Sequence, residues 1–99
     1  MDYILQVFKA LSHERRLKIL EILLEKGELS IEEISSKLKI PTATCCRNLK
    51  ILERVYLVNS KRRKDGAFYS LNLPKDHPYN KLIFQLIKLR KERREKTKS

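Results

Sequence analysis

The chain has 99 residues, 23 Lys plus Arg against 12 Asp plus Glu, and a pI near 9.9. That length suits one domain with a polyanionic partner, and no run approaches the ~20 apolar residues needed to span a bilayer, so no membrane partner is expected. The opening MDYILQVFKALSHERR lacks the basic region and small-residue cleavage site of a signal peptide, which makes the cytoplasm the expected location.

In chain order, Ile4, Val7, Phe8 and Leu11 have the i, i+3, i+4, i+7 spacing of an amphipathic helix, with Asp2 at its start where the helix dipole favours an anion. Ser12 is the expected cap of a second helix running to about Lys26, with Leu17, Leu20, Leu23 and Leu24 on one face and Gly27 as its stop. Ser30 and Glu33 have capping-box spacing ahead of a short third helix whose inward face is Ile31, Ile34 and Leu38. After a tight turn at Lys39 and Ile40, Pro41 or Thr42 caps a fourth helix reaching about Val55, so that residues 31–55 form a helix-turn-helix. Residues 57–73 alternate like strands, with Val58, Ser60, Phe68, Ser70 and Asn72 against Leu57, Asn59, Tyr69, Leu71 and Leu73. Lys64, Asp65 and Gly66 signal the hairpin turn, and the loop around Arg62 to Gly66 would be a wing. A last helix begins near Asp76 to Pro78 with Tyr79, Leu82, Ile83 and Leu86 on one stripe; its end, KLRKERREKTKS, is expected to fray, residues 96–99 above all.

The expected architecture is mainly α with a β-hairpin (α+β), a winged helix-turn-helix ordered α-α-α-α-β-β-α over residues 1–99. The charge distribution points to its partner. Residues 1–40 hold seven basic and seven acidic side chains, so all eleven excess positive charges lie in residues 41–99. An excess directed at phosphates segregates in this way, and double-stranded DNA is the expected partner.

At 100° per residue, the fourth helix turns Cys45, Leu49 and Leu52 toward a core and presents Ala43, Arg47, Lys50 and Arg54 on the opposite side, with Thr44, Cys46 and Asn48 on the flanks. Recognition helices read bases with their N-terminal turns. Thr42, Ala43, Thr44, Cys46, Arg47 and Asn48 are therefore the expected base readers, and Lys50, Arg54, Lys61, Arg62, Arg63 and Lys64 the expected contacts to phosphate or minor groove.

Three segments in order, ALSHERRLKIL (residues 10–20), ELSIEEI (28–34) and PTATCCRNLKILERVYLV running into the wing (41–69), resemble the ArsR/SmtB-like winged-helix repressors. Arg16 stands at the family's arginine, and Thr44, Arg47, Asn48, Leu49 and Leu52 match its recognition helix. The resemblance implies a homodimer on a pseudo-palindromic operator, with half-sites ~34 Å apart. It also implies dimerisation through the first and last helices (residues 1–11 and 76–95), whose stripes are Ile4, Val7, Phe8, Leu11 and Tyr79, Leu82, Ile83, Leu86. A chain this small often gains stability by oligomerising.

Departures from the family bear on effectors. Ser30 and Glu32 stand where its metal sensors carry two thiolates, and Asp76 and His77 have no downstream pair, so no metal and no cofactor is expected. Tyr56 replaces a glycine common before the wing. Adjacent Cys45 and Cys46 diverge on a helix and should not bridge; Cys45 belongs in the core, whereas Cys46, on the edge of the reading face, is a candidate redox site. His13 has no useful neighbour. With two glycines and no nucleophile or paired-carboxylate motif, no enzyme is expected. The sequence names no small-molecule effector. High Lys, Glu and Ile with two Gln is thermophile-like, of an archaeal cast. The expected function is a sequence-specific regulator, a repressor; the alternatives are a non-specific architectural nucleic-acid binder driven by the basic tail, and a protein-interaction module.

Overall fold

The computed structural model describes residues 2–75 and 78–97. Helix α1 (Tyr3–Leu11) starts on Asp2, whose side chain accepts from the Ile4 N–H at 3.0 Å. Helix α2 (Glu14–Lys26) is preceded by His13, which makes no side-chain cap, and Ser12 instead turns its hydroxyl back to the Phe8 carbonyl. The expected Ser12 cap is thus corrected: the serine closes the first helix rather than opening the second. Gly27 stops α2 at φ +85°, in the region glycine enters without strain.

A short strand absent from the expected order, β1 (Leu29–Ser30), precedes α3 (Ile31–Leu38). Ser30 and Glu33 form the full capping box, and the hydrogen bond that the Ser30 backbone N–H donates to the Glu33 carboxylate holds its pKa below the usual range. Helix α4 (Thr42–Arg54) follows, capped by Pro41, and then strands β2 (Val58–Arg63) and β3 (Gly66–Leu71). The sheet is antiparallel in the order β1-β3-β2. Its register sets Val58 opposite Leu71 and Ser60 opposite Tyr69, so the face of Val58 and Ser60 continues into Tyr69 and Leu71 and not into Phe68 and Ser70. Strand pairing reaches Arg63 and Gly66, which leaves only Lys64 and Asp65 as the turn of the wing.

The core is Val7, Ile19, Leu20, Leu23, Ile34, Cys45, Leu49, Leu52 and Leu57, closed by Tyr69 and by Phe84 and Ile87 of α5 (Tyr79–Thr97). On this last helix Phe84 and Ile87 turn into the core, while Tyr79, Leu82 and Leu86 of the stripe expected at the dimer interface are exposed on the protomer. Val7 is fully buried within the protomer, which removes it from any dimer surface. The tail is also corrected. Residues 88–97 stay helical because Arg90, Lys91 and Arg94 pair with Glu14, Glu21 and Glu25 of α2. The expected helix start at Asp76 and His77, and the last two tail residues, lie outside the described residues. Among the described residues no helix is long and apolar enough to cross a membrane.

Candidate nucleic-acid interface

The turn between α3 and α4 is fixed by backbone and side chain together. Lys39 takes a left-handed conformation (φ +56°), and the Ser35 hydroxyl donates to the Ile40 carbonyl at 2.5 Å and lies 3.5 Å from Thr42 Oγ1. Helix α4 is then held by three fully buried side chains, Cys45, Leu49 and Leu52. Truncating a buried leucine such as these costs about 2 to 5 kcal/mol, so the roll of α4 is set firmly. That roll leaves Thr42, Ala43, Arg47, Lys50 and Arg54 exposed, with Thr44 and Cys46 half-buried at the edges. The Arg47 guanidinium lies 3.4 Å from Thr44 Oγ1, extended over the first turn of the helix.

Asn48 departs from the expected set of base readers. Its side chain is buried, its Nδ2 donates to the Thr44 carbonyl at 2.9 Å, and its Oδ1 accepts from Arg16 Nη1 at 3.1 Å. Buried, and with one hydrogen bond made inside the protein at each end, this side chain is turned inward and not presented to a base edge.

On the wing, Lys61, Arg62 and Lys64 are exposed. Arg63 is exposed too but already engaged: Nη1 pairs with Glu28 Oε1 at 2.6 Å, Nη2 with Oε2 at 3.2 Å, and the guanidinium lies 4.8 Å from the centre of the Phe68 ring. The expected phosphate role of Arg63 therefore competes with an internal carboxylate. Ser60 donates to Glu53 at 2.5 Å and ties the base of the wing to the end of α4.

Three residues that organise this surface carry no role in the sequence reading. Arg16 joins α1 to α4, donating from Nε to the Ala10 carbonyl as well as from Nη1 to Asn48. Tyr3 donates to the Val55 carbonyl at 2.9 Å, at the other end of α4. Asn80, buried, donates to the carbonyls of Tyr56 and Asn72, each at 2.8 Å, and so locks the exit of α4 to the end of the hairpin. The signal available for Arg16 and Asn80 was position: each continues a buried stripe at i, i+4, i+7, with Leu20 and Leu23 or with Phe84 and Ile87.

Cys45 is fully buried with its Sγ 3.9 Å from the Ile31 carbonyl, and burial pushes its thiol up to about 11. Both cysteines are free thiols. Ser30 and Glu33, in the segment where related sensors hold metal, are consumed by the capping box, and among the described residues no three His, Cys, Asp or Glu side chains converge.

A helix-turn-helix with an outward cationic face, flanked by a two-stranded wing, defines the winged-helix class. A family model described as a helix-turn-helix domain matches residues 11–61. The transcriptional activator HlyU of Vibrio cholerae is 39% identical over 66 residues, which cover 67% of this chain and 60% of HlyU. The transcriptional repressor SdpR of Bacillus subtilis is 33% identical over 66 residues, 67% of this chain and 72% of SdpR. Among solved structures, the homodimeric winged helix-turn-helix DNA-binding domain of a possible ArsR-family transcriptional regulator from Mycobacterium bovis superposes with a TM-score of 0.76 at 27% identity, covering 92% of this chain and 80% of that one. The chain belongs to the ArsR/SmtB-like family of winged helix-turn-helix transcriptional regulators. It spans about three fifths of the length of the curated relative HlyU.

Proposed function

We propose that this chain is a sequence-specific DNA-binding regulator that acts as a homodimer on an inverted repeat and represses by occupying promoter DNA. The observation that carries the reading is the outward row Thr42, Ala43, Arg47, Lys50 and Arg54 on α4, held in one roll by the core beneath it and continued by Lys61, Arg62 and Lys64 of the wing. Thr42, Ala43, Thr44, Cys46 and Arg47 lie where the first turns of α4 would meet base edges; the cations beyond them would meet phosphates. Thiol oxidation at half-buried Cys46 would put bulk against the same surface.

The dimer surface we assign is the exposed apolar face of α1 and α5: Leu5, Phe8, Tyr79, Leu82, Leu86 and Leu89. Between the two helices runs an open apolar cleft of 790 Å³ lined by Phe8, Leu11, Ile83 and Leu86 among others. Apolar patches of this kind on small proteins mark interaction sites, and the similar M. bovis domain is homodimeric. The pairing of Arg90, Lys91 and Arg94 with α2 weighs against an architectural binder driven by a free basic tail.

The test is in vitro selection from random duplexes with the purified chain at near-physiological salt. Enrichment of an inverted repeat with half-sites about one helical turn apart supports the reading; tight binding without enrichment favours the architectural alternative, and no binding to any duplex at low salt favours a protein-interaction module.

A further inference from the structure

We infer that Arg16, on α2 and outside the reading surface, is a specificity-determining positioning residue that sets the recognition helix through Asn48. The inference rests on the DNA-reading function proposed above and adds to it a residue that touches no base.

Arg16 occupies a core-stripe position of α2, one turn before Leu20, where an apolar side chain would ordinarily pack. It is half-buried, burial lowers its pKa, and among the described residues no carboxylate pairs with it. A guanidinium drawn out of water without an anion is costly unless its N–H groups have fixed acceptors. Two are present. Nε donates to the carbonyl of Ala10 in the last turn of α1, and Nη1 donates to Asn48 Oδ1 in the middle of α4. Asn48 passes the constraint on, because its Nδ2 donates to the Thr44 carbonyl one turn closer to the N-terminus. The chain of bonds thus runs from the helix assigned to dimerisation to the turn of α4 that carries Thr44 and Arg47.

The geometry suits arginine: its rigid fork holds Nε and Nη1 toward the main-chain carbonyl and the side-chain amide at once, whereas a lysine keeps the charge as a point on a flexible stem without that fixed pair of donors. Sequence is read by the side chains of α4 that meet base edges, whereas phosphate contacts carry no sequence information directly. Loss of the bridge should therefore fall on discrimination rather than on binding as such.

The experiment uses the full chain, with Arg16→Met, Arg16→Lys, Asn48→Ala and the double variant Arg16→Met/Asn48→Ala, each checked for folding by circular dichroism and thermal unfolding. Affinities are measured for the selected duplex and for a scrambled duplex of equal length. We expect Arg16→Met, Arg16→Lys and Asn48→Ala each to lose about tenfold in the ratio of the two affinities, the scrambled duplex changing by no more than about twofold. The double variant should lose no more than either single one. Equal weakening on both duplexes, or wild-type discrimination in Arg16→Lys, would overturn the inference, since charge rather than the bridge would then be what matters. Amide hydrogen exchange without DNA provides the independent reading. Residues 44–50 should exchange faster in Arg16→Met while residues 58–71 keep wild-type rates, and unchanged rates in α4 would overturn the positioning role. A wild-type chain that selects no sequence refutes the DNA reading instead, and exchange alone then decides whether Arg16 positions α4.

Discussion

Arg94 and Glu21, 73 residues apart, meet where α5 crosses α2, with Arg94 Nη2 donating to Glu21 Oε1 at 2.5 Å and Arg90 Nη1 reaching Oε2 at 2.6 Å. Glu21 is 7% exposed at its side chain and the two arginines 37%. Removing a buried carboxylate leaves two cations facing a partly dry groove. The full penalty for breaking a buried pair is discounted because the arginines can turn to water, so Glu21→Ala should cost about 2 kcal/mol, read as a lower urea midpoint at unchanged slope. A loss near zero would make the cluster an ordinary surface network. The same geometry changes what a tail deletion means: removing residues 88–99 takes Arg90, Lys91 and Arg94 off α2, so it probes folding as much as nucleic-acid binding.

At the exit of α4, Tyr56 adopts φ +61°, its N–H donates to the Glu53 carbonyl, and the Leu57 N–H donates to the Leu52 carbonyl, the two bonds of a Schellman ending. A backbone conformation that glycine adopts without strain is thus kept by a residue that bears its steric cost. Comparing two substitutions isolates that cost: Tyr56→Gly should be more stable than Tyr56→Ala by about 1 kcal/mol, since both lose the ring and only one relieves the strain. Equal stabilities would show that the conformation is not strained.

Periodicity located every helix, the capping box at Ser30 and Glu33, and the hairpin, because each depends on local chemistry. The two-residue strand Leu29–Ser30 has no period of its own and exists only because β3 lies beside it. On α5 both faces are apolar, and which of Leu82 and Leu86 or Phe84 and Ile87 turns inward is decided by packing on α2, not by spacing. Asn48 matched a reading position by pattern, but its polarity serves Arg16; a polar side chain on a buried stripe was the available clue, and its partner, 32 residues away, was not.

The two thiols should separate chemically. Cys45 is fully buried and its thiol is pushed up to about 11, so at pH 8 a small alkylating reagent should add once per chain, at half-buried Cys46, by mass spectrometry of the native protein. A raised folded pKa means that the native state holds the proton more tightly than the unfolded chain. The associated stability is complete below the unfolded value near 9 and is lost as pH rises toward about 11, a decline that Cys45→Ala should lack. Two adducts at pH 8 would show that Cys45 is reached through local opening.

Arg47 stands exposed on α4, with no anion paired to it among the described residues, and is lightly steadied by Thr44 Oγ1. If it pairs with a base, Arg47→Ala loses about 1 to 3 kcal/mol on the selected duplex and tolerates substitutions at one position of the half-site. Equal weakening on every sequence would reassign it to phosphate.

The wing offers two neighbouring arginines in different states, Arg62 exposed and Arg63 bound bidentate by Glu28. Each phosphate contact by a cation contributes about 0.9 to the slope of log affinity against log salt. Arg62→Ala should flatten that slope by about this amount, while Arg63→Ala should barely change it, because its charge is already countered inside the protein. Glu28→Gln removes the counter-charge without shortening the side chain, so it should tighten binding to any duplex and steepen the slope by about 0.9. The pair is solvent-exposed and its own contribution to stability is only about 0 to 1 kcal/mol, so folding should be nearly unaffected and the change can be read as electrostatic. If Glu28→Gln leaves the salt slope as it was while Arg63→Ala flattens it, the carboxylate already releases Arg63 when DNA binds, and the wing meets phosphate with both arginines.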